Sequence, residues 1–294
     1  MNTMQDKTIL ITGGSGGIGK QTALALAKTG AQVIITGRSL SSGEAAVAEI
    51  IQSSANPKVA LLLADLSTRA GVHSLVEQFN GNYDHLDVLI NNAGLAESKR
   101  RLTADGVEAD FAVNVVAPFL LTQLLMDRLK IRPGGRVISL TGGEARGRIE
   151  LDNLQAERSF VGLTTYSHSK LVMMALMYEF ALRTQVSGVT INVCYPGQAS
   201  TTMTRSVTPE MLPVFLRIIW PLFKRMLKED GGKTAAKASL SSIYLATSDV
   251  MKGRSAQYFD TRCHLTAWPQ AVQDQAVRQK IWEITSRVAG ITIA

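Results

Sequence analysis

The chain has 294 residues, 46% of them hydrophobic, and a formal net charge of +7, which is ample material for a large buried core. Lys and Arg are scattered except at Lys99, Arg100 and Arg101, and aromatics make up only 6%, so no basic, aromatic-lined face for nucleic acid is expected. Cys194 and Cys263 stand far apart without CxxC spacing and the four histidines form no ligand cluster, a pattern that suits neither a disulfide framework nor a metal site.

The opening MNTMQDKTIL runs straight into an apolar strand without the long apolar core of a secretory signal, and a reducing cytoplasm is the expected setting. Lys7 to Thr12 reads as a short buried strand, followed at once by Gly13-Gly14-Ser15-Gly16-Gly17-Ile18-Gly19 and a helical run from Lys20 to Thr29. Glycines at such a junction let the backbone turn tightly and approach a pyrophosphate, held by the amides and dipole of the helix N-terminus. The spacing is Thr-Gly-x-x-x-Gly-Ile-Gly, with Gly13, Gly17 and Gly19 as fixed points. It resembles the cofactor loop of the short-chain dehydrogenase/reductase family, which implies that Ser15 and Ile18 also line the cofactor.

The next strand, Gln32 to Thr36, ends in Gly37-Arg38-Ser39, where an NAD enzyme of this kind carries a carboxylate for the ribose. A guanidinium there can grip a 2′-phosphate with paired hydrogen bonds, so NADP(H) is expected. A helix from about Ser42 to Ser53 leads to a third strand, Val59 to Ala64, closed by Asp65-Leu66. The resemblance assigns Asp65 to the adenine amino group and Leu66 to the same pocket. After a helix over Thr68 to Phe79, a fourth strand, Leu86 to Ile90, ends in Asn91-Asn92-Ala93-Gly94. This matches the family's second motif, implying cofactor contacts at Asn92, Ala93 and Gly94.

Apolar spacing predicts a helix over Ala104 to Leu129, in which Asn114 precedes Pro118 by four residues. Proline has no N–H, so the Asn114 carbonyl loses its usual helical partner, and the resemblance implies a proton-relay role for this asparagine. The fifth strand, Arg136 to Leu140, is followed by Thr141-Gly142-Gly143 where relatives carry a pair of serines. Counting from the strand puts Gly142 at the catalytic serine, whereas counting back from Tyr166 puts Thr141 there. Thr141 has a hydroxyl and is the preferred reading.

Tyr166 and Lys170 lie four apart near the start of a helix reaching about Gln185, so a phenol and an ammonium share one face. A nearby cation favours the phenolate and lowers a tyrosine pKa, which fits the phenol for proton transfer. The sixth strand, Val189 to Tyr195, closes on Pro196-Gly197, with Thr201 beyond; in the family such a turn lines the nicotinamide and such a threonine bonds its carboxamide. Residues 203–228 are apolar, with Phe215, Ile218, Ile219, Trp220, Leu222 and Phe223 interrupted by Pro213, Arg217 and Pro221. They read first as a substrate lid over a lipophilic molecule. The second reading is a surface-lying amphipathic helix in peripheral membrane contact, with Arg217, Lys224, Arg225 and Lys228 at headgroup level.

The resemblance, most marked to the retinol-dehydrogenase-like and WW-domain-oxidoreductase-like branch, spans nearly the whole chain. It implies an α/β architecture: a doubly wound parallel sheet (Rossmann fold) with helices on both faces, as a single domain over residues 1–294. The implied activity is NADP(H)-dependent interconversion of a carbonyl and an alcohol on a lipophilic small molecule, with Tyr166, Lys170, Asn114 and Thr141 as catalytic residues. A redox-neutral cyclase or isomerase, or a cofactor-binding protein, is the alternative that the irregular serine position keeps open. Apolar residues on the helices carrying Asn114 and Tyr166 permit a homodimer.

Overall fold

The computed structural model describes residues 4–142, 147–221, 224 and 230–292, without the side chains of Leu216 and Ile219. Eight strands form one sheet in the order β3-β2-β1-β4-β5-β6-β7-β8. They are β1 (Thr8–Ile11), β2 (Gln32–Gly37), β3 (Val59–Leu63), β4 (Val88–Asn91), β5 (Arg136–Leu140), β6 (Thr190–Cys194), β7 (Gln257–Phe259) and β8 (Leu265–Thr266). All neighbouring pairs are parallel except β7 with β8. The two-residue β8 is absent from the sequence reading because so short an edge strand carries no alternation to detect.

Parallel strands need crossovers, and helices supply them: α1 (Gly17–Ala27), α2 (Leu40–Ser54), α3 (Arg69–Asn82), α4 (Ala109–Lys130), α5 (Gly162–Arg183), α6 (Lys233–Ala238), α7 (Leu240–Thr247) and α8 (Gln275–Ala289). Covering both faces leaves the central strands buried on both sides, which explains their continuous apolar runs. In β1, Ile9 and Ile11 point to one core, shared with Leu26 of α1 and Ile50 of α2, while Leu10 points to the other, shared with Phe119 of α4 and Phe180 of α5. Each such large aliphatic side chain contributes about 1.5–3 kcal/mol when fully buried.

The C-terminal helix is fastened to this second core. Trp282 packs edge-on against Phe119 and Phe180 with centroids 5.0 and 5.2 Å away. Arg278 meets Glu179 at 3.2 Å with both side chains only 7% exposed. Helix α4 is, among the described residues, the one long and apolar enough to cross a bilayer, yet 78% of that window is buried; it is the core helix between α3 and α5.

Strand order reverses between β1 and β4, which leaves a crevice at the carboxyl ends of these strands, where the glycine loop and the Asn-Asn-Ala-Gly segment both emerge. Folds of this kind bind their ligands there.

Candidate active site

The glycine loop is shaped by close packing. Gly13 and Gly17 have φ of +65° and +51°, the left-handed region that suits glycine. A Cβ on Gly19 would lie 2.4 Å from the Gly13 carbonyl oxygen and one on Gly14 would lie 2.6 Å from Ile35, so the loop presses directly on the strand ends. Gly16 is different: it is exposed and a Cβ there would meet nothing within 4 Å. It is also the N-cap of α1 and offers no side chain to cap the first turn. The first-turn N–H groups of an eleven-residue helix are thus left for an anionic ligand.

Around this loop the other cofactor candidates converge. Ser15 Oγ would lie 3.3 Å from a Cβ on Gly37, which sets it beside the end of β2, with Arg38 exposed one residue further. Thr201 reaches over from the segment after β6, its Cγ2 2.9 Å from where a Gly17 Cβ would be. Its hydroxyl is engaged in a capping box with Thr204. Gly197 turns the chain with φ +84° after the buried Pro196. Leu66 and Ala93, with Thr12, Asn91, Val113, Ala117, Pro118 and Leu121, line a small recess between the ends of β1 and β4 and helix α4.

Two candidates have structural partners instead. Asn92 donates its amide to the carbonyls of Thr12 at 2.8 Å and Gly13 at 3.2 Å, bracing the glycine loop from beneath. Asp65 is exposed and accepts the Ser67 N–H at 3.0 Å. The donor set nonetheless fits a dinucleotide: open amides at a helix N-terminus for pyrophosphate, a serine and a guanidinium at the end of β2, and small residues along the crevice.

Asn114 lies in a π-helical turn, Ala112–Val116, where the Ala117 N–H donates to the Ala112 carbonyl. The sequence predicts a freed carbonyl at Pro118; the chain answers the missing donor by widening the turn. The Asn114 side chain, buried, accepts the Leu95 N–H at 2.9 Å and donates to the Leu95 carbonyl at 2.8 Å and Ser169 Oγ at 2.9 Å. Ser169 in turn donates to the Tyr166 carbonyl at 2.7 Å. Asn114 therefore ties the segment after β4 to the helix that carries the tyrosine. Asn114→Ala removes all three bonds and is expected to cost about 2–3 kcal/mol in urea unfolding, with α5 loosened at Tyr166; wild-type stability contradicts the clamp.

Lys170 is 4% exposed and its Nζ donates to the Leu140 carbonyl at 3.2 Å. A Cβ on Gly94 would sit 3.4 Å from that Nζ and 3.5 Å from Asn114 Oδ1, so glycine leaves the passage between them clear. Burial draws the lysine down to about 8, with Asp110 opposing. The Tyr166 phenol is pushed up, by burial first and then by Asp110 and Tyr195. This departs from the sequence expectation that Lys170 would pull the phenol down: in the protein alone desolvation dominates, and the ammonium is aimed at the β5 carbonyl. At neutral pH the phenol keeps its proton.

The position of the missing serine is read from Gly142. A Cβ there would stand 2.2 Å from Tyr166 Oη, so it is Gly142, not Thr141, that the structure sets against the phenol. Thr141 is 3% exposed and its hydroxyl has no hydrogen-bond partner among the described residues. The preference for Thr141 is corrected accordingly, since counting along a strand end cannot tell which of two adjacent residues turns towards a neighbouring helix.

Over residues 203–221 the chain forms one helical turn at Thr202–Arg205 and 3₁₀ turns at Pro209–Met211 and Val214–Ile219. Pro209 and Pro213 break residues 202–219 into these short turns, and Trp220, Pro221 and Lys224 beyond them are helical. Met211 is buried against Gly162 at the head of α5, whereas Val214, Phe215 and Ile218 are 76%, 76% and 85% exposed. Leu222, Phe223, Arg225 and Lys228 lie outside the described residues.

Sequence reasoning missed Asp110, which is fully buried within electrostatic reach of both Lys170 and Tyr166. In the sequence it is an acidic residue four before Asn114, and only the packing of α4 under α5 shows it to be buried.

Residues 7–212 match the family model for short chain dehydrogenase. Human retinol dehydrogenase 13 is 32% identical over 291 residues, covering 98% of this chain and 86% of that protein. Among solved structures, a protein from Mycobacterium paratuberculosis superposes with a TM-score of 0.77 at 22% identity, covering 100% of this chain and 97% of the other. A short chain dehydrogenase from Escherichia coli CFT073 complexed with NADPH gives a TM-score of 0.65 at 24% identity, covering 89% and 98%. Architecture, motif order and these matches agree, and the chain belongs to the short chain dehydrogenase family, on its retinol-dehydrogenase-like branch.

Proposed function

We propose that this protein is an NADP(H)-dependent oxidoreductase interconverting a carbonyl and an alcohol on a lipophilic small molecule, within a single domain whose residues 203–228 serve as the lid. The observation that carries this reading is the convergence of Tyr166 and Lys170 with the uncapped glycine loop at the same end of the sheet.

Bound in the crevice, a nicotinamide cofactor supplies the hydride chemistry. The protein's share is binding, orientation and proton transfer. The glycine loop and α1 hold the pyrophosphate, and Arg38 with Ser15 takes the 2′-phosphate. Tyr166, held protonated by burial, gives its proton to the carbonyl oxygen in reduction and takes it back in oxidation. Lys170 places a positive charge beneath the crevice, favouring the phenolate that remains. Asn114 fixes the relative position of these groups.

The name retinol dehydrogenase 13 of a 32% identical relative supports an apolar substrate, as do Val214, Phe215 and Ile218 exposed on the lid segment. The NADPH in the Escherichia coli structure supports the cofactor choice. One observation favours a second reading: Gly142 offers no hydroxyl to a carbonyl beside Tyr166, which suits acid–base chemistry without redox change, such as an isomerisation.

Steady-state NADPH oxidation with long-chain and polycyclic aldehydes and ketones separates the two, because substrate conversion with the cofactor unchanged would select the redox-neutral reading. In the same assay Arg38→Ala is expected to raise the KM for NADPH by about 10–100-fold, the worth of one or two charge-assisted hydrogen bonds. Activity with NADH should be unaffected. An equal effect on both cofactors would remove Arg38 from the 2′-phosphate site.

A further inference from the structure

Asp110 has no part in the proton-transfer roles described so far, yet it is a fully buried acid near them. It is 0% exposed, and its Oδ1 accepts the Glu97 N–H at 3.0 Å. Its Oδ2 is buried with no hydrogen-bond partner among the described residues. A carboxylate oxygen held dry and unpaired is costly, so some feature of the site must compensate for it or keep it neutral.

The charged and titratable groups facing it come from three elements. At the N-cap of its own helix is Glu108, on the segment after β4 is Glu97, and on α5 are Lys170 and Tyr166. Glu97 is paired with Arg101 at 2.7 Å. Glu108 spends its two oxygens on the N–H groups of Asp110 and Phe111 at 3.0 and 2.8 Å, with Arg100 acting on it from outside. That leaves Lys170 as the cation acting on Asp110. The relation is reciprocal, for Asp110 is the charge that favours the ammonium form of Lys170.

We propose that Asp110 is a positioning residue for the reaction, a second proton-holding group whose ionisation decides whether Lys170 keeps its positive charge beneath Tyr166. At Asp110 and Lys170 no bond other than O–H and N–H is made or broken, the hydride passing between nicotinamide and carbonyl carbon elsewhere in the site. In reduction Tyr166 loses one proton to the product and one proton enters from solvent per turnover, while Asp110 exchanges none with the substrate. Burial and the like charge of Glu108 push Asp110 up to about 8, and burial draws Lys170 down to about 8, so the two change charge in one pH window and titrate as a coupled pair. As pH rises a carboxylate forms at Asp110 and favours the ammonium form of Lys170 against the burial that disfavours it. The ammonium is thereby carried to higher pH than burial alone would allow.

This inference rests on Tyr166 and Lys170 being the acid–base pair. The test is the pH profile of kcat/KM for NADPH-dependent carbonyl reduction, measured for wild type and Asp110→Asn. The amide keeps the size of the side chain and an oxygen for the Glu97 N–H but cannot ionise. Removing the carboxylate lowers the lysine pKa, so the alkaline limb is expected to move to lower pH by about one unit, with NADPH affinity unchanged and Asp110→Glu restoring the limb towards its original place. Wild-type turnover with an unmoved limb in Asp110→Asn overturns this proposal alone. Absence of any wild-type turnover overturns the acid–base reading on which it depends.

A measurement that needs no folded variant is infrared spectroscopy of wild-type protein carrying carbon-13-labelled aspartate. A protonated aspartic acid band at neutral pH that disappears in the alkaline range is expected. Its absence at neutral pH contradicts a proton held at Asp110.

Discussion

Tyr166→Phe is expected to lower kcat for carbonyl reduction by about 10³-fold, within the range that positioned general acids contribute, while NADPH binds as to wild type. The substitution removes only Oη. The ring stays in place on α5, and the Ser169 bond to the residue-166 carbonyl at 2.7 Å is a backbone interaction that persists. Burial keeps the phenol protonated across the neutral range, so the proton lost in the variant is one that wild type holds ready. Loss of kcat with unchanged cofactor affinity is the mark of an interaction made only in the transition state. Equal turnover by both proteins would remove Tyr166 from the chemistry.

Gly142→Ala should be nearly as damaging, for a steric reason. Its Cβ would stand 2.2 Å from Tyr166 Oη and 3.1 Å from Cζ, well inside contact distance, and the phenol must give way. A displacement on the order of 1 Å at a reacting group costs about 10²-fold in rate, and that is the expected fall in kcat/KM. Thr141→Val serves as the contrast. The Thr141 hydroxyl is buried and without a partner among the described residues, so an isosteric apolar replacement should leave the rate within about threefold of wild type and stability unchanged or raised. The opposite ranking, with Thr141→Val inactive and Gly142→Ala active, would return the carbonyl-polarising role to Thr141.

These two positions show what could and could not be read from the chain. Motifs made of neighbours in sequence were legible. The glycine loop sits on a strand end and a helix start as its spacing demands, Asn-Asn-Ala-Gly follows β4, and Tyr166 and Lys170 share a face of α5, because local geometry alone fixes each of them. The first six strands were found within a residue or two because their central positions are mostly buried and apolar. What was not legible depends on contacts between distant elements. Nothing near residue 142 says that its α-carbon faces a phenol from a helix 20 residues further on. Asp110 looks like a surface charge on α4 until that helix is packed under α5.

Backbone detail was similarly out of reach. The predicted helix over Ala104 to Leu129 begins at Ala109, because residues 102–108 fold back in a short bridge from Leu102 to Glu108. It then widens into the π turn around Asn114. Residues 233–247 form two helices, α6 and α7, divided at Ser239. Residues 209–219 form 3₁₀ turns beside Pro209 and Pro213.

The reading of the site as a carbonyl reductase stands most directly on one measurement: NADPH oxidation by the purified protein with lipophilic aldehydes and ketones, with NADH and Tyr166→Phe as controls. Turnover that prefers NADPH and disappears in Tyr166→Phe is the result expected from the uncapped glycine loop, Arg38 and the Tyr166 phenol. Tight NADPH binding with a substrate converted and no NADPH consumed would contradict it, and would assign the Tyr166–Lys170 pair to redox-neutral acid–base chemistry.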